Sequence, residues 1–348
     1  MGDDVLRMCH EILNNTNNVN SLNETLLIMI PKVENPCDMT NFRPISLYRF
    51  VYKMVSKVLV NRMKEVLPRC ISLNQSTFVS GRMIHDNVLI AHELMHQLLN
   101  SKNGPSKGCV VKLDMSKAYD RVEWGFLENV LLKFGFSYEW VNKIMSCVRT
   151  VRYRVKYNMH LTDIIIPERG LRQGDPLSPY LFLFCMDVLS RMLTDAQENL
   201  RIKGIHNTSM SKRTMMNGWL NMKVVDSLGG YLGLPIVIGK KRSNTFKNIV
   251  ERIAKRINSW SKRLLSYGGK EIFIKNWNML AWEKMCHPKG MGGLGFRDLR
   301  LFNVALLGRQ VWRLLNYKDT LCYKVLSSKY FPNGDVFHPK KVDRPSFT

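Results

Sequence analysis

Among the residues able to do chemistry, one acid sits in a telling place. In Val110 to Trp124, VVKLDMSKAYDRVEW, the strand formers Val110, Val111 and Leu113 alternate with Lys112, and Ser116 to Asp120 break the pattern. The spacing predicts a strand with Asp114 at its lip. A carboxylate is too costly to bury unpaired, so this one meets water or a cation. A hard divalent ion such as Mg²⁺, held by one or two carboxylates together with substrate phosphates, suits it. Taken alone, the string reads as a solvated turn.

A second stretch, Arg169 to Phe184 (RGLRQGDPLSPYLFLF), weighs against the solvated turn. Gly170 and Gly174 allow φ > 0 or close approach of a ligand, and Ser178-Pro179 reads as the start of a helix. A loop that brings Arg169, Arg172 and Gln173 to a helix N-terminus suits phosphate and base contacts. In order and content, VVKLDMSKAYD and RGLRQGDPLSPYLF resemble the first and second palm motifs of LINE-type reverse transcriptases, the enzymes of non-long-terminal-repeat retrotransposons. The segment ending in FRPISL, and NQSTFVSGR after it, resemble the fingers of the same family.

The resemblance implies an α+β right-hand polymerase fold with fingers, palm and thumb. It implies RNA-templated DNA synthesis with two divalent ions, Mg²⁺ or Mn²⁺, on an RNA template and a DNA primer. Asp114 would be the catalytic metal ligand, and Tyr119 would lie under the sugar as a filter against ribonucleotides. Arg43 and Arg82 would meet the nucleotide, with Gln75 and Gly81 near its pocket, and Gln173 and Gly174 would meet the template base pair. Without the resemblance, Arg43 reads as a surface salt-bridge residue.

The pattern then breaks. In the family, a hairpin reading F/Y-A-D-D follows the second motif and supplies the remaining carboxylates. Here the chain runs from Leu200 to Ile205 and on into GGYLGLP without that string, and the only adjacent aspartates are Asp3-Asp4. The expectation is an incomplete palm sheet with impaired metal binding. Asp187 and Asp226, the nearest later acids, lack strand-turn-strand flanks.

Composition agrees with a polyanionic partner. Lys and Arg total 52 against 28 Asp and Glu, a net charge of +24, while 45% hydrophobic residues keep the chain in the globular class. Eight scattered cysteines form no C-x-x-C pair and read as reduced thiols. The longest apolar run, Tyr180 to Met186, stops at Asp187, too short to span a membrane. With no leader-like start, the expected location is intracellular, in nucleus or cytoplasm.

The elements that must position these residues follow from periodicity. A strand is expected over Leu26 to Ile30, and an amphipathic helix over Tyr48 to Leu67, closed by Pro68. A second helix runs from a cap at Asp86 to about Leu99. Further helices begin near Trp124 and Tyr138. The alternation in VRYRVKYN pairs it with Leu161 to Ile166, one face core and the other basic; that face lies along phosphate or is a solvated edge. A helix carrying Phe246, Ile249, Val250, Ile253 and Ile257 opposite Lys247, Arg252, Lys255 and Arg256 resembles the thumb that tracks primer and template.

The domains expected are a remnant over 1–24, fingers-like and part of palm over 25–109, palm over 110–210, thumb-like over 211–275, post-thumb connection over 276–331 and a loose tail over 332–348. A competing motif, H-E-L-M-H at 92–96, fits the H-E-x-x-H metalloprotease pattern, though no third ligand accompanies it.

Overall fold

The computed structural model describes residues 2–14, 19–100, 110–157, 160–202, 229–236, 242–263, 282–292, 295, 298–342 and 345–346; the side chains of 242–244, 256–263, 282, 285 and 289 lie outside this description. The chain divides into two compact units, one of residues 1–83 and 110–207, the other of 84–109 and 208–348.

The first unit begins with helix α1 (Gly2–Leu13), which turns Cys9 and Ile12 inward. Strands β1 (Glu24–Pro31) and β2 (Phe42–Leu47) pair antiparallel, Ile28 beside Ile45 and Ile30 beside Arg43. In helix α2 (Phe50–Cys70), Tyr52, Val55, Leu59, Met63 and Leu67 recur every three or four residues and all are buried. Pro68 sits inside its last turn instead of closing it; Ile71 N still bonds to Leu67 O at 2.9 Å.

Helix α3 (Ile84–Asn100) belongs to the second unit. The chain returns to the first in α4 (Trp124–Lys133) and α5 (Tyr138–Arg149). Strand β3 (Arg152–Tyr157) runs parallel to β1, Leu26 beside Arg154, and β4 (His160–Leu161) pairs with its far end, giving the order β2-β1-β3-β4. Helix α6 (Ser178–Glu198) completes the unit.

Five helices, α1, α2, α4, α5 and α6, share one core. Leu59, Leu127, Ile144 and Phe184 are fully buried in it, and Phe184 meets Phe134 and Phe136 with ring centroids 5.2 and 5.4 Å apart. Burial of each such side chain contributes about 1.5–3 kcal/mol.

The strand expected at Val110 to Leu113 does not form: none of the described strands includes residues 110–115, and all six are exposed. A strand persists only as a member of a hydrogen-bonded ladder, and the sheet of this unit is built from β1 to β4 without it.

The second unit holds the short hairpin of β5 (Gly230–Tyr231) and β6 (Leu234–Pro235), then α7 (Arg242–Arg263), α8 (Trp282–Cys286), α9 (Leu299–Asn316) and α10 (Leu321–Tyr330). Asp298 caps α9, accepting from Arg300 N at 2.8 Å and Leu301 N at 3.1 Å. Asp86 is not the cap expected of it. It lies buried within the first turn of α3 and receives the Arg313 guanidinium in a fork of 2.7 and 2.9 Å. No described helix is long and apolar enough to cross a membrane.

Candidate functional site

The two motif stretches meet in the first unit through their backbones. Leu171 N donates to Tyr119 O at 2.9 Å and Gly170 N to Val122 O at 2.8 Å, while Trp124 Nε1 donates to Gly170 O at 2.8 Å. Gly170 has φ +93°, and a Cβ there would stand 3.2 Å from Asp120 Cα, so the approach needs glycine on both counts. Tyr119 is half-buried, its ring 5.2 Å from that of Phe182. Beside this junction lies an open depression lined by Lys117, Asp120, Arg121 and Arg169.

Below the turn of RQGD, Arg172 is only 4% exposed. Its guanidinium donates to Asn23 Oδ1 at 2.6 Å, Thr25 Oγ1 at 3.2 Å and Cys147 O at 3.2 Å, pairs with Asp175 at 2.8 Å and lies 4.0 Å from the ring centre of Tyr52. Burial opposes the charge, but Tyr52, Asp175, Tyr153 and Cys147 together more than offset it, and the pKa of Arg172 is raised. This corrects the expectation that Arg172 contacts nucleic acid: a side chain enclosed by protein cannot reach a phosphate backbone.

What the network supports is the pair above it. Ser46 N donates to Gln173 O at 3.3 Å and the Tyr48 hydroxyl to Gly174 O at 2.7 Å, with Gln173 half-buried and Gly174 exposed. Sequence reasoning missed Tyr48, Tyr52, Asn23 and Asp175. The available signal was the Arg172–Asp175 spacing with two tyrosines one helical turn apart.

Arg43 is exposed on β2, three residues before Ser46. Arg82 turns its guanidinium to the carbonyls of Pro68, Ile71, Ser72 and Gln75 at 2.6–3.2 Å, closing the C-terminal end of α2 where a cation is favoured. Asp114 and Asp120 are exposed. Asp187 is buried, accepts from Ser72 N at 2.9 Å and pairs with Arg191 at 2.9 Å, so its oxygens are engaged in holding α6 to the end of α2. Asp226 lies outside the described residues. Among the described residues no three His, Cys, Asp or Glu side chains converge. Two divalent ions need several carboxylate oxygens between them, and the described residues do not fit that requirement.

In the second unit, Lys247 faces Glu251 at 3.9 Å, Arg252 donates to Gly233 O at 2.9 Å, and Lys255 is exposed; the side chain of Arg256 lies outside the described residues. The H-E-L-M-H stretch is structural. Glu93 is fully buried and receives Lys329 Nζ and the Tyr330 hydroxyl, His92 Nε2 lies 3.0 Å from Pro235 O, and His96 Nε2 lies 2.9 Å from Asn100 Nδ2. Burial works against the Glu93 charge, but the bonds from Lys329, Ser346 and Tyr330 hold its carboxyl below the usual range. A carboxylate so engaged does not serve as the general base of a zinc protease.

Residues 30–207 match the profile of the family described as reverse transcriptase (RNA-dependent DNA polymerase). The chain belongs to this family, and its mixture of helix and sheet is a reverse-transcriptase polymerase fold. It is 31% identical over 203 residues to the transposon TX1 uncharacterized 149 kDa protein of Xenopus laevis, a match covering 58% of this chain and 15% of that protein. It is 30% identical over 169 residues to a retrovirus-related Pol polyprotein from the type-1 retrotransposable element R2 of Nasonia vitripennis, covering 48% of this chain and 16% of that one. An uncharacterized mitochondrial protein of Arabidopsis thaliana shares 44% over 69 residues, 20% of this chain and 45% of the relative. The chain thus spans less than half the length of each of these relatives.

Proposed function

We propose that this chain, the reverse-transcriptase domain of a LINE-type retrotransposon protein, binds RNA template and DNA primer but does not extend the primer in its present form. What carries the reading is Asp114: it is the one acid placed by motif, it is exposed, and among the described residues no group of three or more His, Cys, Asp or Glu that could hold a metal ion forms around it. Mg²⁺ or Mn²⁺ is the ion the family implies, and it would find one motif ligand here. Arg43, Tyr119, Gln173 and Gly174 remain the nucleotide-facing candidates, and Arg82 acts as the positioning residue for the turn that carries Gln75 and Gly81. The domains proposed are fingers-like and part of palm over 25–109, palm over 110–210, thumb-like over 211–275 and a post-thumb connection over 276–331.

Each ion contributes several kcal/mol of charge stabilisation and each 1.36 kcal/mol is tenfold in rate, so losing the two-ion clamp lowers extension by at least about 10³-fold. The test is primer extension on an RNA template with Mg²⁺ or Mn²⁺, comparing this chain, Asp114→Ala and a version with an F-A-D-D hairpin inserted. Silence from the first two with activity in the third supports the reading. Extension by the unmodified chain that vanishes in Asp114→Ala overturns it.

Binding is tested separately. With about five phosphates neutralised, log K falls with log salt at a slope of roughly −4, with no preference among sequences. Replacing Arg252 and Arg256 together by Ala flattens the slope by about 2. A slope near zero removes nucleic-acid binding from the proposal, and a slope unchanged in the double variant removes α7 from the binding surface.

A further inference from the structure

We propose that Val111 to Met115 pairs with the same segment of a second copy of this chain, as two antiparallel strands related by a two-fold axis at Leu113. The segment has the alternation of a strand but stands outside every described strand, and Val110, Val111, Leu113 and Met115 are 41–62% exposed. In an extended chain alternate residues share a face, so Val111, Leu113 and Met115 make an apolar row while Lys112 and Asp114 flank Leu113 on the other side.

The charges choose both the partner and the register. With the axis at Leu113, antiparallel pairing sets Leu113 against Leu113, Val111 against Met115, and Lys112 of each copy against Asp114 of the other. Moving the axis to Lys112 or to Asp114 puts like charges opposite one another, and parallel in-register pairing does so twice. Like charges opposite are destabilising and opposite charges favourable, so one arrangement is preferred and it is self-complementary, as a closed two-fold contact must be. Lys112 already has an interaction within the monomer, so the cross-strand pair is an exchange of partners. A stable interface buries about 800 Å² per partner. A five-residue strand offers less, so association is weak and rises with concentration.

The experiment is sedimentation equilibrium of the full chain over a rising concentration series, without nucleic acid. The expected mass climbs from the 40.4 kDa monomer toward twice that value. Asp114→Lys turns two ion pairs into two repulsions and lowers the association constant at least about tenfold. Adding Lys112→Asp to it restores the wild-type constant, which separates lost pairing from a lost fold. Leu113→Cys forms a covalent dimer under mild oxidation beyond the wild-type background, because the axis brings that residue against itself. A monomer at every concentration, association unchanged in Asp114→Lys, a double variant that fails to recover, or growth past the dimer each overturns the proposal.

Discussion

The Tyr52 hydroxyl donates to Asp175 Oδ2 at 2.7 Å, and the same oxygen takes the Arg172 guanidinium at 2.8 Å, with all three side chains buried. Removing one partner of a buried ion pair leaves an uncompensated charge, so Arg172→Ala destabilises the chain by about 3–5 kcal/mol. Tyr52→Phe takes one donor from a carboxylate that keeps its cation and lowers stability by about 1–3 kcal/mol. Urea unfolding measures both. A change in Arg172→Ala no larger than that in Tyr52→Phe contradicts this ranking.

Alkaline pH acts on the same buried group. Burial, with Asp175 adding to it, pushes the Cys147 thiol from 9.0 to about 12, and burial pushes the Tyr153 phenol from 10.0 to about 12; Tyr52 is raised well above 10.0, again chiefly by burial. The folded state therefore keeps protons that the unfolded chain releases. Their contribution is complete below pH 9 and declines as pH rises from 9 toward 12. Unfolding followed across that range shows falling stability, with a shallower fall in Cys147→Ala. An equal slope in the two proteins counts against the assignment.

Gly170 and Gly174 both have positive φ, +93° and +98°, but they differ in surroundings. A Cβ on Gly170 lies 3.2 Å from Asp120 Cα, whereas one on Gly174 meets nothing nearer than Ser46 O at 3.9 Å. Backbone strain alone costs about 1–3 kcal/mol, so Gly174→Ala falls in that range and Gly170→Ala exceeds it. In Gly170→Ala the Leu171 amide, bonded to Tyr119 O, also exchanges its hydrogen faster. Equal stabilities of the two variants refute the close-approach argument.

Much of the first unit was legible because its helices announce themselves. The helix expected over Tyr48 to Leu67 forms as α2 over Phe50–Cys70, and the two motif strings named the loops that meet at Tyr119 and Gly170. The side chains inside the loop were not legible. An arginine written R-Q-G-D has the same letters whether it is offered to phosphate or enclosed against Asp175, and only Tyr48 and Tyr52, far off in sequence, decide between them. The strand at Val110 failed for a related reason: alternation shows what a segment can pair with, but the pairing depends on a neighbour elsewhere. Likewise H-E-L-M-H has a protease's spacing, and it took Lys329 and Tyr330 to show that Glu93 is engaged.

Helix α3 has a consequence for the order in which the protein is made. Its buried carboxylates Asp86 and Glu93 find their cations in Arg313 and Lys329, which lie 227 and 236 residues downstream. At about 5–20 residues per second of synthesis, roughly 11–45 s pass between the emergence of Asp86 and that of its partner. Through that interval Asp86 lacks the cation that offsets its burial, and α10, which carries the Lys329 that pairs with Glu93, is still to be made. A ribosome stalled anywhere before Arg313 holds a nascent chain whose second unit cannot yet be finished.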